Sequence, residues 1–123
     1  MHQLITNVKK KISQVCREKG VVKEPFLSAR VTQCYETGCA VYFYLGFLSK
    51  GLKDPLETFQ DIEDGARDEI LLNGGSVSHH HGIGKIRKKW VNETISEGGV
   101  EILKGIKKTI DPNNIFAANN IID

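Results

Sequence analysis

The chain has 123 residues, 40% of them apolar, which suffices for one small hydrophobic core and argues against a disordered tail. Its 17 basic and 15 acidic residues leave a net charge of +2, too slight a field to call for a nucleic-acid partner. No apolar run reaches the length of a membrane span, and no signal-peptide core opens the chain.

From Leu4 to about Arg17, Ile5, Val8, Ile12 and Val15 recur at helical spacing, and Gly20 is suited to stop the helix. Lys9-Lys10-Lys11 is a solvated face of that helix or, alternatively, a face that lies on a membrane. Leu27 to Tyr35 alternates as a strand, Glu36-Thr37-Gly38 is a turn, and Cys39 to Leu48 forms a second strand. Val41-Tyr42-Phe43-Tyr44-Leu45 is apolar at nearly every position, which predicts a central strand covered on both faces. Cys34 and Cys39 flank the turn. The odd total of three cysteines favours a reducing compartment over a disulfide framework, with a Cys34–Cys39 bridge as the alternative.

Asp54-Pro55-Leu56-Glu57 is a helix start with a cap, a proline at the first helical position and a capping-box glutamate. Leu56, Phe59, Ile62, Ala66 and Ile70 then mark one face, and Asn73-Gly74-Gly75 ends it. A short strand is expected over Ser76 to His79, one helix from about Lys85 to Ile95, and a last one from about Gly99 to Ile110, stopped by Asp111-Pro112. The order suggests an α+β fold, a ferredoxin-like unit lacking its opening strand. An incomplete sheet of that kind expects its edge partner from elsewhere.

The chemistry concentrates in Gly74-Gly75-Ser76-Val77-Ser78-His79-His80-His81-Gly82-Ile83-Gly84-Lys85. If extended, His79 and His81 would share one face and His80 the other. Imidazoles suit proton transfer near neutral pH, glycines let backbone approach a ligand, and Lys85 and Arg87 offer cationic donors. The cluster is suited to an anionic substrate that needs acid–base help. Two other readings stand beside it: a polar loop bonded to its own backbone, and a zinc site, although His-x-His supplies only two ligands and matches no standard finger. The glycines form neither a dinucleotide fingerprint nor a Walker loop. Tyr42 is either a core or interface tyrosine or a chemical group. Tyr44 shares its face, and Tyr35 lies at the turn.

Arg30-Val31-Thr32-Gln33-Cys34-Tyr35, Val41-Tyr42-Phe43-Tyr44, Ala66-Arg67-Asp68-Glu69-Ile70-Leu71, the histidine segment and Asp111-Pro112-Asn113-Asn114-Ile115-Phe116 together resemble the end of the alkylglycerone-phosphate synthase (alkyl-dihydroxyacetonephosphate synthase) family. That family is a branch of the FAD-linked oxidases, and the triple histidine distinguishes the branch. The resemblance implies the cap and C-terminal region of a vanillyl-alcohol-oxidase-like flavoprotein. Residues 1–78 would be part of the cap, and 79–123 a histidine loop with terminal helices returning to an FAD-binding domain encoded upstream.

The implied reaction replaces the acyl group of acyl-dihydroxyacetone phosphate with a long-chain fatty alcohol, in ether-lipid synthesis. The flavin would hold the substrate through a ring nitrogen without net redox change. By position, Tyr42 is implied in proton transfer, and His80 or His81 in activating the alcohol. His79 would act in catalysis or, with Gly82, Gly84 and Asn119, against FAD. Lys85 and Arg87 would be auxiliaries for the substrate phosphate, and no metal is implied. The full-length family member would be peroxisomal, with its address outside this chain, since Ile121-Ile122-Asp123 is not the common peroxisomal tripeptide. Membrane-surface association and a homodimer fit the same picture. The chain departs from relatives at Gly46-Phe47-Leu48-Ser49-Lys50, where an asparagine is usual, and at Phe116-Ala117-Ala118-Asn119-Asn120, where a glycine is usual. A flavin-linked 2-hydroxy-acid oxidoreductase and a non-catalytic phosphate-ligand or interaction module are the alternative functions.

Overall fold

The computed structural model describes Met1–Ile122. It separates into two compact units, Met1–Gly75 and Ser76–Asp123.

In the first unit, α1 (His2–Glu18) presents Val8, Ile12, Val15 and Cys16 to the core. The helix ends where Gly20 takes φ +78°: its N–H donates to Arg17 O at 3.1 Å, and Val21 N–H donates to Cys16 O at 2.9 Å. That is the double closure of a Schellman motif, and buried Val21 is its apolar anchor. Burial pushes the Cys16 thiol pKa up. The Glu24 carboxylate adds to the rise, and Arg17 opposes it.

Strands β1 (Phe26–Cys34) and β2 (Cys39–Gly46) form an antiparallel hairpin, pairing Arg30 with Tyr42 and Cys34 with Cys39. The register slips between Val31 and Gln33, and there Thr32 Oγ1 donates to Ala40 O at 3.3 Å. Cys34 and Cys39 are both free thiols despite facing each other across the ladder. Leu27, Phe43 and Leu45 pack toward the helical core. The opposite face stays open, with Tyr42 37% and Tyr44 40% exposed. The expectation of a strand covered on both faces is therefore corrected. A two-stranded sheet has one helical layer on one side, so its aromatic residues are divided between core and surface.

Helix α2 (Pro55–Leu72) starts as expected: Asp54 Oδ1 accepts from Glu57 N–H at 2.9 Å, with Pro55 in the first turn. Its buried stripe differs from the expected one. Ile62 is fully buried, and Ala66 and Ile70 pack against the core, but Leu56 and Phe59 are exposed, and Thr58 and Gly65 face inward instead. Gly65 explains the shift, because a Cβ there would lie 3.2 Å from Val15 Cγ2. A side chain there would force Val15 to give by a few tenths of an ångström, so glycine suits the close approach of α1 and α2. At the far end, Gly74 and Gly75 repeat the Schellman closure, with Gly75 N–H donating to Ile70 O at 2.9 Å.

In the second unit no strand forms at Ser76–His79. The segment is a chain of bends and turns, so the expected third strand is corrected. A 3-10 turn over Lys88–Trp90 leads into α3 (Val91–Ile110). The expected helix from about Lys85 is corrected to begin at Val91, after a turn and the 3-10 segment, and it runs on into the expected last helix as α3, divided at Ser96, whose φ of 68° and ψ of 161° break the spiral. Ser96 Oγ accepts from Gly99 N–H at 3.3 Å and so caps the second half. Trp90, Val91 and Val100 are buried. After the helix, Asp111 Oδ1 accepts from Ile115 N–H and Oδ2 from Phe116 N–H, both at 2.9 Å. Lys107 Nζ donates to the same carboxylate.

Candidate functional site

The histidine loop is closed on one atom. Gly82 O accepts from Ser78 Oγ at 3.1 Å and from Arg87 Nη1 at 3.2 Å, one donor from each side of the loop. Gly82 (φ +74°) and Gly84 (φ +55°) supply the left-handed backbone this reversal needs. Nothing lies within 4 Å of where a Gly82 Cβ would stand, so the glycine serves its dihedral and leaves open space beside the histidines.

All three histidines are exposed at the tip. The alternation expected of an extended segment does not occur, because the segment turns. His79 and His80 meet edge to face with centroids 5.4 Å apart, and His80 and His81 lie 4.2 Å apart with planes tilted by 33°. Nδ1 of His79 is 3.2 Å from Nδ1 of His80. Such a contact is a hydrogen bond when one of the two nitrogens carries a proton and the other does not. The pair can therefore accept, hold and pass on one proton, with the third ring stacked beside it.

Arg87, expected to serve the substrate phosphate, spends its Nη1 on Gly82 O. Its Nε is buried with no hydrogen-bond partner, as is Asn120 Oδ1. Asn120 Oδ1 lies 3.8 Å from the position of a Gly84 Cβ, whereas Asn119, the expected cofactor residue, is exposed with φ +60°. Asn120 is the residue sequence reasoning missed. Two adjacent asparagines gave no signal to rank one above the other. Lys85 is exposed.

Tyr42 stands on the open face of the hairpin. The Arg30 guanidinium lies 6.0 Å from its ring centroid and 5.5 Å from that of Tyr44. The ladder dictates this arrangement, since Arg30 pairs with Tyr42 and Tyr44 lies on the diagonal. Arg30 escaped the sequence reading because only the register puts it beside Tyr42. Tyr42 belongs to the first unit and the histidines to the second. Among the described residues, no group of three or more His, Cys, Asp or Glu side chains could hold a metal ion. Among the described residues, no helix is long and apolar enough to cross a membrane.

The sequence matches the family described as FAD linked oxidases, C-terminal domain, over residues 3–121, and the chain belongs to that family. It is 49% identical over 120 residues, 98% of its length, to an alkyldihydroxyacetonephosphate synthase of Caenorhabditis elegans. It is 31% identical over 88% of its length to the enzyme of that name from Trypanosoma brucei brucei. An uncharacterized FAD-linked oxidoreductase of Escherichia coli is 31% identical over 77% of the chain. The chain spans about a fifth of the length of these relatives, 20%, 17% and 20% respectively.

The family's cofactor is FAD, and the residues present fit it. A flavin edge offers both hydrogen-bond acceptors and a donor, and the loop region holds a buried donor (Arg87 Nε) and a buried acceptor (Asn120 Oδ1) that are both unpartnered.

Proposed function

We propose that the chain is the carboxyl-terminal part of an FAD-dependent transferase of ether-lipid synthesis. The longer enzyme replaces the acyl group of acyl-dihydroxyacetone phosphate with a long-chain alcohol. The observation that carries this reading is the 49% identity over 98% of the chain to a synthase of that activity's name. FAD, when bound, would supply an electron-poor ring system beside the substrate carbon. His80 or His81 takes the proton of the alcohol, whose oxygen bonds to the substrate carbon as the acyloxy group leaves as a carboxylate. The His79–His80 contact supports this role, since a proton accepted by one ring is shared with the next. Tyr42 moves the proton at the substrate carbon, and Gly82, Gly84 and the asparagines border the flavin. An FAD-binding domain upstream completes the site. The longer protein works in peroxisomes, at or near a membrane surface, and as a homodimer.

The test is exchange of labelled fatty alcohol into alkyl-dihydroxyacetone phosphate by the longer protein. His80→Ala and His81→Ala should each lower kcat by about 10²-fold or more. Wild-type activity in one variant would assign the role to the other histidine, and wild-type activity in both would remove the assignment. The Escherichia coli relative, named an FAD-linked oxidoreductase, favours a competing oxidoreductase reading, for which a 2-hydroxy acid is the substrate class to test. Bleaching of the flavin by a 2-hydroxy acid, without alcohol exchange, would establish that reading instead. An interaction module would do neither.

A further inference from the structure

The hairpin closes with two thiols face to face. Cys34 and Cys39 are register partners at its turn end, and both are free. The bulge creates this pairing. Val31 pairs with Val41, and an unbroken ladder would set Cys34 against Gly38 and Cys39 against Gln33. The one-residue slip after Val31 pairs Gln33 with Ala40 instead, and so brings Cys34 opposite Cys39. Tyr35 N–H donates to Gly38 O at 2.8 Å, which makes that pair the hydrogen-bonded one and the cysteine pair the non-hydrogen-bonded one beside it. Side chains approach most closely at such a pair, where Cα atoms stand about 4.5 Å apart. A disulfide spans about 4.4–6.8 Å between Cα atoms, so the backbone here already meets that requirement.

The fold gives the three cysteines different access. Cys34 is exposed, Cys39 is half-buried, and Cys16 is buried in the core at 1% exposure. Cys39 Sγ lies 2.9 Å from Met1 Sδ, at the start of α1, whereas Cys16 sits near the other end of that helix. The rise of the helix separates the two thiols by roughly 20 Å, so Cys16 cannot exchange with the pair. Burial also keeps Cys16 protonated and unreactive. A solvent-borne disulfide therefore meets Cys34 first, with Cys39 directly across the ladder to displace what Cys34 has taken up.

We propose that Cys34 and Cys39 are a reversible redox pair, oxidised to a cross-strand disulfide by a small-molecule disulfide such as oxidised glutathione. The Cys34 thiolate attacks one sulfur of glutathione disulfide; a mixed disulfide forms, the glutathione S–S bond breaks and one glutathione leaves. The Cys39 thiolate then attacks the Cys34 sulfur, and the second glutathione leaves. Two protein thiols are oxidised, one glutathione disulfide is reduced to two thiols, and the two protons pass to the departing thiolates. The bridge pins the slipped register beside the turn. It lies at an accessible end of the hairpin, so reduced glutathione reverses it. The inference goes beyond the transferase reading and does not depend on it.

The test equilibrates the longer protein in glutathione redox buffers, alkylates the free thiols and reads tryptic peptides by mass spectrometry. Trypsin releases Val31–Lys50, which carries both members of the pair, and Ile12–Arg17, which carries Cys16. As glutathione disulfide rises, Val31–Lys50 should lose two hydrogens and retain no glutathione, and reduced glutathione should restore it. Ile12–Arg17 should stay reduced throughout. The same buffers in urea measure what the fold contributes: the ratio of bridged to reduced Val31–Lys50 should be at least about tenfold higher in the native protein. Cys39→Ser leaves Cys34 without its partner, and that variant should keep one glutathione on Cys34. Four outcomes would overturn the proposal: a glutathione adduct that persists in the wild type, a bridge to Cys16 or to a second molecule, a bridged fraction no higher in the native protein than in urea, or no adduct on Cys34 in Cys39→Ser. Every readout is a mass, so failure here leaves alcohol exchange untouched, and failure of alcohol exchange leaves this result standing.

Discussion

Arg87 donates from Nη1 to the carbonyl of Gly82 across five residues, and that carbonyl also accepts from Ser78 Oγ. One oxygen thus fixes both ends of the loop that carries the three imidazoles. Lysine cannot replace this contact, because a flexible ammonium lacks the fixed fork of a guanidinium. Arg87→Lys in the longer protein should lower kcat by about tenfold to 10²-fold with a smaller change in KM for the phosphate-bearing substrate. Steady-state kinetics check this. A rise confined to KM would instead make Arg87 a substrate-phosphate group.

Gly75 tolerates no side chain. A Cβ there would stand 2.7 Å from Ile70 Cγ2, 3.1 Å from the Ile70 carbonyl and 3.1 Å from Leu4 Cδ1. Gly75→Ala should destabilise by about 1–3 kcal/mol in urea unfolding. Gly65→Ala meets Val15 at 3.2 Å and should cost less, because a side-chain methyl can give way where a carbonyl cannot.

Asp111 holds the chain after α3. Its carboxyl pKa is lowered to about 2, chiefly by the hydrogen bond from Lys107 and next by the backbone bond from Ile115, with Phe116 adding to them. A depressed folded-state pKa contributes stability that is present above the unfolded value of about 3.9. That contribution is lost as pH falls through the folded value of about 2. Thermal melts should show the wild type losing its advantage over Asp111→Asn progressively between those limits. A constant difference down to pH 2 would contradict the assignment.

Ala117 has φ +51°, a left-handed conformation that costs a residue with a Cβ. Relief of that strain is worth about 1–2 kcal/mol and exceeds the roughly 0.5–1 kcal/mol of extra chain entropy that glycine brings. Ala117→Gly should therefore raise stability by up to about 1 kcal/mol in chemical denaturation. Gly84→Ala, at φ +55°, should lower it.

The first unit was largely legible in the sequence because its signals are local. The three-and-four spacing of α1, the Asp54-Pro55 cap and the Gly20 and Gly74 stops each act within a few residues, and the structure contains all of them. The inward stripe of α2 was not legible. Leu56 and Phe59 are more apolar than Thr58 and Gly65, but the close approach of α1 chose the smaller residues. The third strand failed for a related reason: period-two alternation over four residues is weak, and Gly82, Gly84 and the bonds to Gly82 O favour a turn. At the site, the imidazole triplet stood out by composition alone. The Nδ1 contact, the pairing of Arg30 with Tyr42 and the inward amide of Asn120 depend on register and loop path, which composition does not encode.

The fold distributes its chromophores unevenly. The sole tryptophan, Trp90, is 4% exposed within the second unit, while the three tyrosines, Tyr35, Tyr42 and Tyr44, all belong to the first. Excitation at a wavelength that only indole absorbs therefore follows the second unit, and phenol absorbance, once the indole contribution is subtracted, follows the first. The unlabelled chain reports its two halves in separate spectral channels. Coincident or staggered transitions in those channels would show whether the halves melt as one body or as two.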